Sequence, residues 1–336
     1  MNATRIGFLR SFFSIQGALA LLAVMTCWSA RPAAAQPPAY LTQWGSLGSG
    51  DGQFIFPVAV ATDAAGDVYV ADQENHRIQK FTSTGTYLTQ WGSQGDSDGC
   101  FFSCVGVATD AAGNVYAVDY GNDRIQKFTS TGTYLTQWGS YGRGAGQFIF
   151  PIAVATDADG NVYVADRVNH RIQKFTSTGT YLTQWGSQGS GDGQFNYPQG
   201  VATDAADNVY VVDGENHRIQ KLTNSGAHLT QSGSNGSGDG QFGYPGGIAT
   251  NAAGDVYVAD RGNHRVQKFT NTGAYLTQWG SQGSGDGQFE YPHGVATDAV
   301  GDVYVADFDN NRIQKFSNGT PATSATWGRV KAMYRD

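Results

Sequence analysis

The sequence predicts an all-β fold, a six-bladed β-propeller of four-stranded antiparallel blades with 47-residue repeats. Three observations predict it. The heptapeptide Tyr40-Leu41-Thr42-Gln43-Trp44-Gly45-Ser46 recurs from Tyr87, Tyr134, Tyr181, His228 and Tyr275, always 47 residues on. A fixed period of that length marks a repeat array. The chain carries 46 Gly among 336 residues and only 15% charged residues, which suits short strands and tight turns rather than long surface helices. Finally, one period divides into four strand-like runs separated by turn residues.

The first 35 residues stand apart. Arg5 and Arg10 give a basic start, an apolar stretch runs from Phe12 to Trp28, and Ala33-Ala34-Ala35 precedes Gln36. This pattern predicts a secretory signal peptide over 1–35 and an exported protein, periplasmic, cell-surface or extracellular. The alternative is a membrane anchor, but an apolar stretch of about 17 residues broken by Ser14 and Gln16 is short for a span. A lipoprotein is disfavoured because Thr26, rather than a smaller residue, precedes Cys27. No membrane span is expected in the mature chain. Without 1–35, which hold Arg5, Arg10 and Arg31 but no acid, 18 Lys+Arg face 28 Asp+Glu, a net charge of −10. A nucleic-acid partner is not expected, because binding phosphates needs a positive footprint.

Within the array, residues 151–187 serve as the type repeat. Residues 152–156 are small and branched, as an innermost strand converging on an axis requires. Asp157-Ala158-Asp159-Gly160 is turn chemistry. Residues 161–166 (NVYVAD) form a second strand rich in Val and Tyr. After the turn Arg167-Val168-Asn169, residues 170–175 (HRIQKF) form a third. A Thr-Ser-Thr-Gly-Thr turn leads to the outer strand, 181–187, where Tyr181, Leu182 and Trp185 supply bulk. The fourth copy lacks its aromatics, with His228 in the Tyr slot and Ser232 in the Trp slot.

These residues resemble the NHL repeat. The resemblance rests on Pro-x-Gly-Val-Ala-Thr-Asp, Asn-Val-Tyr-Val-Ala-Asp and Asn-His-Arg-Ile-Gln-Lys-Phe over about residues 40–328. Its name-giving pair appears as Asn75-His76, Asn122-Asp123, Asn169-His170, Asn216-His217, Asn263-His264 and Asn310-Asn311. The resemblance implies six blades. It does not fix a function, since the family includes protein- and RNA-binding domains and related propellers are lyases and hydrolases.

Ring closure can be counted. Three-strand cores end near Phe81, Phe128, Phe175, Leu222, Phe269 and Phe316, yet fourth-strand candidates number seven, the last being Ala325-Thr326-Trp327-Gly328. Residues 40–46 are expected to complete the blade built from 292–316 and remove an open edge. The propeller then spans 36–328, with 329–336 as a frayed tail, and a monomer is expected.

Candidate chemistry is sparse. Asp72, Asp119, Asp166, Asp213, Asp260 and Asp307 recur in every blade with Arg77, Arg124, Arg171, Arg218, Arg265 and Arg312. Equal recurrence favours local pairing over a ring of ligand sites. His76, His170, His217 and His264 share one repeat position and are read as structural. The Gly-Ser-Gly-Asp-Gly-Gln-Phe loops carry one carboxylate each, too few for calcium. No Gly-x-Ser-x-Gly, phosphate-binding loop or clustered metal motif appears, so no catalytic residue, metal or cofactor is assigned. Cys100 and Cys104 replace Gln53 and Pro57 of the first repeat and are expected to form a disulfide worth ~2 kcal/mol. The alternative there is a metal site.

Function is sought where the blades differ. The turn after the second strand and the loop after the fourth share one face, and there the copies diverge. Phe56, Phe102 and Phe150 give an apolar half-ring with Val58, Val105 and Ile152. Tyr197, Gln199, Tyr244, Tyr291 and His293 give a polar aromatic one. Tyr120, Arg167, Arg261 and Phe308 stand in the turns. Together these predict a binding surface for a protein or glycan ligand, since aromatics and Arg dominate binding hot spots. Drift among duplicated copies explains the same divergence without function. A lyase or hydrolase at the channel mouth and a purely structural role are the alternatives.

Overall fold

The computed structural model describes residues 36–317. Six separate four-stranded antiparallel sheets follow one another along the chain. In blade 3 the order is Pro151–Thr156, Val162–Asp166, Arg171–Phe175 and Tyr181–Trp185, from the axis outward. The strands expected from the sequence are therefore present, with ends shifted by one or two residues. Blades 1, 2, 4 and 5 begin at Pro57, Cys104, Pro198 and Ile248, and blade 6 at Pro292.

The second strand of every blade is buried at all five positions, because neighbouring blades cover both faces. Its Val-Tyr-Val character follows from that double burial. The outer strands of blades 1 to 4 instead alternate half-buried and exposed residues, as one-sided strands do. The core lies between blades. The interface of blades 3 and 4, for example, packs Tyr163, Ile172 and Phe195 against Val201, Val209 and Leu222.

Two ring-wide devices hold the blades in sequence. The first closes the ring. Tyr40–Trp44 pairs antiparallel with Arg312–Phe316, so the early strand completes the last blade. The competing copy at 325–328 and the expected tail lie outside the described residues. The second is a hydrogen-bonded circle at the inner end of the blades. Each of Thr62, Thr109, Thr156, Thr203, Thr250 and Thr297 donates its hydroxyl to the carbonyl of its counterpart one blade back, at 2.6–2.8 Å. Thr62 donates to Thr297, so the circle has no end.

The recurring Asp and Arg form a buried support under each loop. Asp72 accepts from the Ile55 amide, Asn75, Arg77 and Gln79 at 2.8–3.1 Å. Arg77 also donates to the carbonyls of Ser49, Gly50 and Gln53. Those carbonyls are the oxygens a loop-bound cation would need, and the guanidinium occupies them. Equivalent Asp–Arg contacts of 2.7–2.8 Å recur in all six blades. The partner of each Asp is Arg; the histidines serve elsewhere.

Blade 5 departs from the pattern. Its innermost strand is only Ile248–Thr250, and Gly246 stands where the other blades carry Val, Ile, Gln or His. A Cβ on Gly247 would meet the His293 carbonyl at 2.7 Å, so the two backbones approach too closely for any side chain.

The expected disulfide is absent: Cys100 and Cys104 are both free thiols. Cys104 opens the innermost strand of blade 2 and is buried in the core beside Val105 and Phe101. Cys100 folds back over Gly95 and lies 3.4 Å from the Ser93 hydroxyl. The strand start sends one sulfur into the core while the loop turns the other to its own base. Burial, with Asp119 and Asp72 nearby, raises the Cys104 thiol well above its usual range. Among the described residues no group of three or more His, Cys, Asp or Glu is placed to hold a metal ion. No helix among them is long and apolar enough to cross a membrane.

Candidate functional site

The divergent face is assembled by a latch that repeats around the ring. The His of the Asn-His pair accepts, through Nδ1, the backbone N–H of a loop residue in the next blade. His76 takes Ser103 at 3.0 Å, His170 takes Tyr197 at 3.1 Å, His217 takes Tyr244 at 3.4 Å and His264 takes Tyr291 at 3.2 Å. Asp123 takes Phe150 at 2.8 Å, and Asn311 takes Phe56 at 3.0 Å across the closure. These four histidines are therefore structural, as their recurrence implied. The replacements at 123 and 311 keep an acceptor in the same place.

The latched residue always has positive φ, from 52° at Tyr197 to 71° at Ser103. A bulky aromatic in that region costs of order 1–3 kcal/mol, held only where surroundings over-determine it. Five of the six latched residues are aromatic: Phe56, Phe150, Tyr197, Tyr244 and Tyr291. Nothing in the sequence marks positive φ at Phe or Tyr, so this presentation was not readable there.

Four of the five latched rings meet the turn residue of the preceding blade. Phe56 stacks on Phe308 and Phe150 on Tyr120, both at 4.8 Å and 17°. The Arg167 guanidinium lies 5.3 Å from the Tyr197 ring centre, and that of Arg261 lies 5.7 Å from Tyr291 and 5.6 Å from Phe308. The series breaks between blades 4 and 5. There the turn residue is Gly214, and Tyr244 is left 59% exposed. Phe102 is displaced from the series by one position. Ser103 holds the latch, and Phe102 lies outward at 6.1 Å from His76.

These pairs enclose a funnel over the channel. One lobe, about 590 Å³ counted to its open mouth, is lined by Val58, Val105, Ile152, Tyr120 and Phe308, with Gln73, Arg261 and His293. The other, about 510 Å³, is lined by Arg167, Gln199, Gly214, Tyr244, Arg261 and His293, together with Glu215, Pro245 and Gly246. Seven of the twelve sequence-selected residues thus line the funnel: Tyr120, Arg167, Gln199, Tyr244, Arg261, Phe308 and His293. Phe56, Phe150, Tyr197 and Tyr291 support it from the rim, and Phe102 stands apart. Missing from the sequence reading were Gly214 and Gly246, whose signal was the loss of a side chain in slots filled elsewhere. Enclosure, reinforced by Arg261 and Arg167, lowers the His293 pKa to about 4, so the ring is neutral near pH 7.

The family model described as "NHL repeat" matches residues 54–81, 148–175, 195–222, 242–269 and 289–316. Each matched segment runs from the buried loop Phe to the end of a third strand, and the six blades repeat that unit. The chain is an NHL-repeat β-propeller. The second copy, 101–128, is outside the matches; there Cys104 replaces proline and Asp123 replaces the latch histidine.

Solved structures share the fold of this NHL-repeat chain. A streptogramin B lyase is 15% identical over 83% of this chain and 97% of its own, with a TM-score of 0.59. The virginiamycin B lyase of Staphylococcus aureus is 17% identical over 77% and 79%, with a TM-score of 0.54. A protein of unknown function from Bacteroides thetaiotaomicron VPI-5482 is 20% identical over 82% and 76%, with a TM-score of 0.64. At these identities the likeness is one of fold. No curated protein matches the chain by sequence.

Proposed function

We propose that this NHL-repeat propeller is an exported, monomeric binding module that seats a protein or glycan partner on the face carrying the funnel. The carrying observation is the set of five aromatic residues held at positive φ by inter-blade latches. Strained backbone concentrates where a surface has work to do, and the latches fix these rings without loss of side-chain freedom on binding. The opposite face repeats Thr-Ser-Thr-Gly-Thr or a close variant in its turns and offers a partner no such asymmetry. Export rests on the composition of residues 1–35.

The test is to screen the protein against peptide and glycan arrays, then repeat the screen with Tyr197→Ala/Tyr291→Ala. Binding should disappear in the double variant while the melting temperature changes by only a few degrees. A ligand that binds the double variant as well as the wild type sinks the proposal. The enzyme reading draws on the lyase neighbours and on His293 in the funnel. Turnover of a substrate by purified protein, abolished by His293→Ala, would favour it.

A further inference from the structure

Arginine is used in two ways in this molecule. Arg77 and its five counterparts are fully engaged, each paired to an Asp and bonded to loop carbonyls. Arg167 and Arg261 are not. Neither makes an ion pair within 4.0 Å or a side-chain hydrogen bond among the described residues, although the Nε of each is shielded from solvent. Both occupy the turn slot after a second strand, in blades 3 and 5, on either side of the gap left by Gly214. Both line the same lobe.

A shielded guanidinium donor without an acceptor is costly, and removing one partner of a charged hydrogen bond is felt in full. The aromatic faces beneath the two side chains hold them by cation–π contact but accept no hydrogen bond. The Nε donors are shielded, so the outer Nη groups, which also have no hydrogen-bond partner among the described residues, are the donors that something entering the lobe would meet. Two planar forks beside one cavity match a carboxylate. The acids nearby do not fill this role: Glu215 at the lobe's edge and Asp309 next to Phe308 are both exposed, and although the Arg261 charge acts on the Asp309 carboxyl, neither acid pairs with either guanidinium within 4.0 Å. His293 and Gln199 complete the polar lining.

The second lobe shares Arg261 and His293 with the first, so the two are continuous. Its Val58, Val105, Ile152 and Phe308 offer apolar surface and few donors. An acidic sugar would leave its hydroxyls unpaired there. An apolar side chain beside a carboxylate fits both lobes at once. The funnel has room for the end of a chain, whereas a continuous strand would need a groove open at both ends.

We propose that the funnel captures the carboxylate end of a peptide with an apolar terminal residue, the carboxylate at Arg167 and Arg261 and the side chain over Val58, Val105 and Ile152. This rests on the reading that the divergent face binds a ligand, and it names the group that ligand presents. The Gly214 gap admits the chain, and Gly246 keeps the wall of the lobe clear.

The test uses acetyl-Ala-Leu-Phe as free acid and as C-terminal amide, measured by calorimetry against the full-length protein. The free acid should bind at least about tenfold more tightly than the amide, since charge-assisted bonds are worth that much. Arg167→Gln and Arg261→Gln should each weaken the free acid about tenfold and leave the amide unchanged. Arg143→Gln, an exposed charge on the same face outside the funnel, should change neither. Equal binding of acid and amide, or no binding of either to wild-type protein, overturns the proposal even if a variant fails to fold. Tighter binding of 3-phenylpropionate or of glucuronate than of the peptide overturns the chain-end assignment. Rim-dependent partner binding that survives such a result would leave the binding-module reading standing, whereas loss of the Tyr197/Tyr291 dependence alone would sink that reading.

Discussion

A histidine can be read as structural from its recurrence, but its partner cannot. His76, His170, His217 and His264 stood at one repeat position, and that sufficed to set them aside as ligands. That they accept a neighbour's N–H across a blade boundary depended on a backbone bend invisible in the sequence. His293 was legible as an exception because Val, Ile, Gln and Gly fill its slot elsewhere. Its enclosure has a measurable consequence. The folded-state pKa of about 4 lies below the unfolded value near 6.5. The unfolded chain therefore takes up the proton first as pH falls, and the stability His293 allows at pH 7 is lost between about 6.5 and 4. His293→Gln should remove this loss: between pH 7 and 4.5 the wild type should lose ~2 kcal/mol more unfolding free energy than the variant. Parallel losses in urea melts would show that His293 stays solvated. His170, also lowered by burial, keeps a smaller slope in both proteins.

At the level of the strand, the outer-strand aromatic explains more than bulk. Trp44, Trp91, Trp138 and Trp185 each lie on the turn glycine of the next blade, Gly85, Gly132, Gly179 and Gly226, where a Cβ would fall 2.6–2.7 Å from the indole. The turn sequence therefore needs Gly for its φ near +87° and for the indole. In blade 4, Ser232 sits at that place and donates to the Gly273 carbonyl at 2.8 Å. Part of that space persists as an open, largely apolar cleft between Ile219, Tyr210, Val256 and Phe269, with a cavity volume of about 20 Å³. Gly273 keeps φ +88° with no ring to accommodate. Ser232→Trp should therefore raise stability by ~1–3 kcal/mol, and Trp138→Ser should lower it by ~3–5 kcal/mol. Chemical denaturation with a constant m-value checks both, and a neutral Ser232→Trp would mean the cleft is shaped wrongly for an indole. The strand pattern itself was legible because each blade repeats one binary code. The Cys pair misled because two thiols near in sequence were read without the divergence between loop and strand that separates them.

For the whole molecule, the question was which copy of the outer strand closes the ring; counting strands showed one copy too many, and the better match of residues 40–46 to the repeat favoured the early one. What counting could not show is how closure is enforced. Tyr40–Trp44 brings Gln43 to Arg312 at 2.6 Å, Tyr40 to the Phe316 ring at 6.0 Å and Trp44 to Phe81 of blade 1. The early strand thus holds blade 6 and its joint with blade 1 together, while the Thr circle closes the same joint near the axis. Every other blade links its third and fourth strands by a five-residue turn such as Thr82-Ser83-Thr84-Gly85-Thr86. Joining Phe316 to Tyr40 through that same turn, with new termini between Trp44 and Phe54, moves the break but keeps every pairing. Such a permutant should unfold in one transition within a few degrees of the parent. Deleting residues 36–46 instead exposes the edge of Arg312–Phe316 and strips the blade 1 joint of its indole. That loss should exceed the ~3–5 kcal/mol of Trp44→Ala alone and should broaden or split the transition. A deletion that melts like the parent would mean that the Thr circle and the inner strands suffice to close the ring.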